Sequence, residues 1–204
     1  GETIFYSIGE PREAIVADTM LESGNWILPM NYGVEIAYKP PFLYWTIAVI
    51  SSILGGVSEF SARMPSALAF LAMQLVFFSF VAKRKNVKTA FLTSILLLSS
   101  YEVQRAAVAC RLDMLQVSLI VISLCLLFRW DEKNCKGVPW LAVLLMACAT
   151  LTKGPVGSIF PCLCIGIYQL LRGRSFGKAF FSLLGIGLLS LIPLGIWFWA
   201  AYQQ

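Results

Sequence analysis

The chain has 204 residues, 58% of them hydrophobic and 13% charged, with a mean hydropathy of +0.76. A soluble domain is typically about 45–50% apolar and about 25% charged, so a water-soluble domain is excluded; the apolar runs are long and not strictly alternating, which makes this an all-α integral membrane protein. The net charge of +5 sits mostly at the ends of those runs, so it speaks to bilayer topology and not to a nucleic-acid partner.

The chain opens on Gly1-Glu2-Thr3, with no initiator Met and no signal peptide. It reads as an excerpt of a longer protein, with at least one membrane helix upstream. Residues 1–41 read as an outer loop. Within it, Gly9-Glu10-Pro11-Arg12-Glu13 looks like a helix start. Pro11 suits the first turn, and Glu10 and Glu13 suit the positive end of the helix dipole. A short amphipathic helix follows through Met20 and Leu21, and Gly24 would end it. Asn31-Tyr32-Gly33 reads as a turn. Lys39-Pro40-Pro41 then forms an extended corner where the chain enters the membrane. Lys39 there is either an anion-binding group or a snorkelling anchor.

Residues 42–56 form an interfacial segment. Its apolar part is about fourteen residues long, which at about 1.5 Å per residue is roughly 21 Å, short of an about 30 Å hydrocarbon core. Longer runs follow at 63–82, 88–102, 113–130, 138–152, 155–171 and 179–201. Residues 63–204 therefore read as a bundle of about six transmembrane helices.

Charge sets the topology. Lys83, Arg84, Lys85 and Lys88 form one basic cluster; Arg129, Lys133 and Lys136 form a second; Arg172, Arg174 and Lys178 form a third. The positive-inside rule puts all three on the cytoplasmic side. Pairs of crossings separate them, so the assignment is self-consistent. The outer side then carries Glu10, Arg12, Lys39, Arg63, Arg105, Arg111, Asp113 and Lys153. Charges near helix ends favour a wet cavity over lipid.

Two carboxylates and several cations form the inventory for moving a group off a phosphate. Cations neutralise the phosphate leaving group. A carboxylate, Glu10 or Asp113, takes a proton from the attacking group. Each residue also has a purely structural reading. Asp113 could cap its helix or pair with Arg111, Glu10 could complement a helix dipole, and Arg63 could snorkel. Lys153-Gly154-Pro155 could be only a turn. The six cysteines show no CxxC spacing and there is no His, which argues against a structural zinc site. A divalent metal is compatible with the carboxylates but not required by the sequence.

The ordered set of motifs carries a resemblance. Glu10-Pro11-Arg12-Glu13-Ala14, Met20 to Pro29, Lys39-Pro40-Pro41, Val57 to Leu68, Arg111-Leu112-Asp113-Met114 and Leu151 to Gly157 resemble a membrane glycosyltransferase family. That family comprises the bacterial lipid A aminoarabinose transferases and the related protein O-mannosyltransferases. The resemblance covers nearly the whole chain and implies a fold of the GT-C type. It also implies a sugar donor carried on polyprenyl phosphate, inversion at the sugar carbon, and a lipid A-like glycolipid or a protein as acceptor. The implied setting is the bacterial inner membrane, with the active site facing the periplasm. By the same resemblance Glu10 and Asp113 match acidic positions of the active site. Arg12 and Lys39 match basic positions near the lipid phosphate, and Arg111 and Lys153 join the substrate-binding set. The family often has Asp where Gly9 stands, and Glu where Tyr38 stands. Two other readings are a transporter or flippase, which would need a polar path across the bilayer, and a non-catalytic scaffold subunit.

Overall fold

The computed structural model describes residues 9–204; the opening Gly1-Glu2-Thr3 lies outside the described residues. The first helix, α1 (Gly9–Ser23), is followed by a small hairpin of β1 (Met30–Asn31) and β2 (Glu35–Ile36). Then come α2 (Phe42–Leu54), α3 (Glu59–Arg84), α4 (Val87–Ser99), α5 (Tyr101–Ala107), α6 (Leu112–Glu132), α7 (Trp140–Lys153), α8 (Val156–Leu171) and α9 (Phe176–Tyr202). The helix expected after Gly9 is α1. The expected turn closes the hairpin, with Tyr32 and Gly33 both at positive φ and the Val34 amide donating to the Asn31 carbonyl at 3.1 Å.

Among the described residues three helices are long and apolar enough to cross a membrane: α3, α6 and α9, of 26, 21 and 27 residues. The other expected crossings, already short as apolar runs, fall on shorter helices bounded by local breakers. Asn86 caps α4, accepting the Thr89 amide at 2.8 Å, and Ser100, in extended conformation, separates α4 from α5. Pro139 and Gly154 bound α7. In the other direction, α3 starts at Glu59, earlier than its apolar run. The Ser58 hydroxyl accepts the Ser61 amide and the Ser61 hydroxyl accepts the Ser58 amide, a reciprocal cap.

The packing is that of a multi-pass membrane protein. Large apolar side chains such as Leu71, Leu75, Leu171 and Phe181 face outward, and small residues such as Ala62, Ala90, Ala142 and Ala149 are buried between helices. Small residues let helix backbones approach where lipid is as apolar as the helices themselves. Gly157 is the tightest such point. A Cβ there would lie 2.5 Å from backbone atoms of Ala149 and Thr150. Beside it, a row of buried hydroxyls ties three helices together. Thr150 of α7 lies 2.7 Å from Ser158 of α8, which lies 2.7 Å from Ser190 of α9.

Helix α6 is the central post, packed against α3, α7 and α8. Its two ends mark two charged layers. At one end Glu132 pairs with Arg84, and Asp131 pairs with Arg174 at 3.2 Å. All three basic clusters are thereby drawn to that end. At the other end Asp113 pairs with Lys153 at 2.5 Å. Helix α1 docks there as well, burying Ala14 and Ala17 against Leu43 and Ile47 of α2 and Leu115 of α6. The loop after α1 is fastened through its carbonyls. Trp45 donates to Trp26 at 2.7 Å and Trp197 donates to Ile27 at 2.8 Å.

Candidate active site

The site grows from the first turn of α1. Glu10 is only 3% exposed, and its carboxylate accepts the Cys110 amide at 2.8 Å and Arg63 Nε at 3.3 Å. Arg63 is 17% exposed at its side chain, so it is a buried partner and not a snorkelling anchor. Burial, followed by the neighbouring Glu13 and Glu10 carboxylates, pushes the Cys110 thiol up to about 12. That thiol stays neutral and serves as a small buried hydrophobe. Glu10 thus joins α1, α3 and the start of α6 into one unit. Glu10→Gln is expected to lower stability by about 1.5–3 kcal/mol, the range for hydrogen bonds to charged groups. Thermal unfolding of the detergent-purified protein checks this; an unchanged midpoint would refute it.

Gly9 sits against Arg111. A Cβ on Gly9 would lie 3.3 Å from the Arg111 guanidinium, so the bare glycine gives that cation room beside the α1 backbone. Arg111 makes no ion pair among the described residues. Its carbonyl instead accepts the Ser66 hydroxyl at 3.2 Å. Asp113 stands in the first turn of α6, with Arg111 as the N-cap, so Asp113 is not the cap itself. Its partner is Lys153, the last residue of α7, which Gly154 at φ 98° turns off. Asp113 and Lys153 remain about half exposed at their side chains, 51% and 40%.

Arg12 lies on the same α1 start. It donates to the buried Glu13 at 3.3 Å and lies 6.0 Å from the centre of the Tyr38 ring. That contact brings Arg12 beside the corner that carries Lys39. Lys39 is half-buried and makes no ion pair or hydrogen bond among the described residues. Arg105 pairs with Glu102 on α5 at 2.7 Å. With Arg111 and Asp113 these two line a cavity of about 320 Å³, whose remaining wall includes Met114 and Val117.

Glu10, Arg111, Asp113 and Lys153 therefore meet at one end of the bundle, with Arg12 and Lys39 together on the α1 side. Two residues join them that the sequence reading did not place in the site. Arg63 and the buried Glu13 hold the acidic start of α1, and their signal is a charge in the first turns of a helix. Among the described residues no three His, Cys, Asp or Glu side chains gather as a metal-ligand set.

A family model described as dolichyl-phosphate-mannose-protein mannosyltransferase matches residues 38–197. The chain belongs to that family. A relative that covers nearly the whole chain extends the match to the α1 region. An uncharacterized protein of Aquifex aeolicus is 32% identical over 97% of this chain and 44% of its own length. An undecaprenyl phosphate-alpha-4-amino-4-deoxy-L-arabinose arabinosyl transferase of Shewanella sediminis is 33% identical over 76% of this chain and 29% of its own. The crystal structure of apo ArnT from Cupriavidus metallidurans superposes with a TM-score of 0.78 at 27% identity, covering 94% of this chain and 36% of that one. The same protein bound to undecaprenyl phosphate gives 0.81 at 24% identity, over 97% and 37%. The membrane GT-C fold is thus the fold of this mannosyltransferase-family chain, which spans less than half the length of these relatives.

Proposed function

We propose that the chain acts in transfer of a sugar from a polyprenyl-phosphate carrier to a hydroxyl or phosphate acceptor at the outer, periplasmic face of a bacterial inner membrane. The observation that carries this is the half-exposed Asp113–Lys153 pair beside the unpaired Arg111, at the end of the bundle that also holds Arg12 and Lys39. Residues 1–41 would be the outer loop, 42–56 an interfacial segment walling the prenyl groove, and 63–204 the membrane bundle. Relatives whose names specify undecaprenyl-phosphate-linked aminoarabinose support the donor class.

In this reading Lys39 and Arg12 hold the donor phosphate. Asp113 takes the proton as an acceptor oxygen attacks the anomeric carbon from the face opposite the phosphate. The carbon–oxygen bond to phosphate breaks, and polyprenyl phosphate leaves with the electron pair. A neutralised phosphate needs no dedicated general acid. Arg111 and Lys153 orient an anionic acceptor, and Glu10 keeps the helix ends assembled. The test supplies membranes carrying the protein with a radiolabelled polyprenyl-phosphate sugar. Label is expected in a lipid or a protein fraction, and that fraction names the acceptor class. Absence of transfer from both aminoarabinose and mannose donors would overturn the reading.

A further inference from the structure

The basic end of the bundle carries a second site, remote from the sugar-transfer end. A groove of about 310 Å³ lies between α3 and α6, with Leu141 of α7 on its rim. On α3 its wall runs from Leu75 to Lys83 and Arg84; on α6 it runs from Ile122 to Arg129. The nine-residue rise from Leu75 to Arg84 is roughly 14 Å. The wall is apolar toward the middle of the bilayer and cationic at the helix ends.

Three cations line this groove and no carboxylate does. Lys83 and Arg129 make no ion pair among the described residues. Arg84 is held in place by packing. It lies 3.7 Å from the Phe80 ring centre and 4.9 Å from that of Phe128, and it donates to the Phe80 carbonyl at 3.3 Å. Its ion pair with Glu132 uses Nη2, and its buried Nε has no hydrogen-bond partner. A guanidinium fixed by packing, two exposed cations without ion pairs and an apolar slot beneath them together match an acidic lipid. We propose that this groove binds an anionic glycerophospholipid, with the headgroup phosphate at Lys83, Arg84 and Arg129 and one acyl chain lying between Leu75 and Ile122. A zwitterionic headgroup would bring its ammonium among three cations, where the Glu132 carboxylate beside them is already engaged by Arg84. The site therefore discriminates by headgroup charge, and it stands independently of the sugar-transfer reading.

Native mass spectrometry of the detergent-purified protein tests this, with phosphatidylglycerol against phosphatidylcholine of the same chains. The wild type is expected to retain phosphatidylglycerol preferentially. Lys83→Gln with Arg129→Gln is expected to weaken that binding about thirtyfold, from the typical contribution of two interfacial cations. Both side chains are exposed, so the fold is retained. Lys85→Gln with Lys88→Gln, at the same end but outside the groove, should leave it unchanged. An equal loss in both pairs would assign the effect to diffuse surface charge and overturn the site. No headgroup preference in the wild type, or undiminished binding in the groove variant, would overturn it equally.

Discussion

Asp113→Asn is expected to lower sugar transfer by about 10²–10⁴-fold, the usual contribution of a positioned general base. The change keeps the side chain's size and its ability to accept from Lys153 Nζ, now 2.5 Å away. It removes the capacity to take a proton. Its effect on stability is small. A carboxylate in a helix's first turn contributes about 0.3–1 kcal/mol through the dipole, and an exposed ion pair about 0.2–1 kcal/mol. The loss should therefore appear in transfer with the protein still folded. Asp18→Asn, at an exposed position of α1, is the matched control and should transfer normally. Transfer by Asp113→Asn at the control's rate would remove Asp113 from the base role.

Lys39→Ala is expected to lower transfer by about 10²–10³-fold, the range seen when one donor to a developing anion is removed. The backbone around Lys39 is held independently of its side chain. The hairpin pairs Met30 with Ile36, the Ala37 amide donates to the Pro29 carbonyl at 2.9 Å, and Pro40-Pro41 leads into α2. Truncation thus removes an ammonium without dismantling the corner. Lys39→Arg keeps the charge with a different donor geometry and should recover part of the activity. Label-transfer rates at several donor concentrations separate the two effects. A Lys39→Ala protein with unaltered donor dependence would place the phosphate elsewhere.

The membrane architecture is legible in the sequence where the evidence is local. Gly24 ends α1, Gly154 makes the turn after α7, and the basic clusters collect at one end as their signs require. Gly9, Arg111, Asp113 and Lys153 stand in motifs and do come together. What escapes depends on partners far along the chain. Arg63 next to Met64-Pro65 reads as an anchor until α1 delivers Glu10 to it from 53 positions away. Asp113 has Arg111 two residues before it, yet pairs with Lys153, because the end of α7 arrives there and Arg111 turns toward Gly9. The Ser58–Ser61 cap is local, but apolar run length is a poor guide to it, since the capped turn carries Glu59 and Arg63.

The hydroxyl row across α7, α8 and α9 has a mechanical consequence. Thr150 can also donate to the Met146 carbonyl at 2.7 Å, and Ser190 to the Gly187 carbonyl at 2.8 Å. Three protons serve the row. It can therefore order itself from Thr150 through Ser158 and Ser190 to Gly187, or in reverse to Met146, with every proton used either way. Axial sliding of α8 by one residue would carry Ser158 away from both neighbours and strand it in an apolar interior, at a cost of about 1–3 kcal/mol on mutational scales. The row acts as a dowel through three helices. It opposes gliding of α8 past α7 and α9 by that amount, while the apolar contacts around it set no such register.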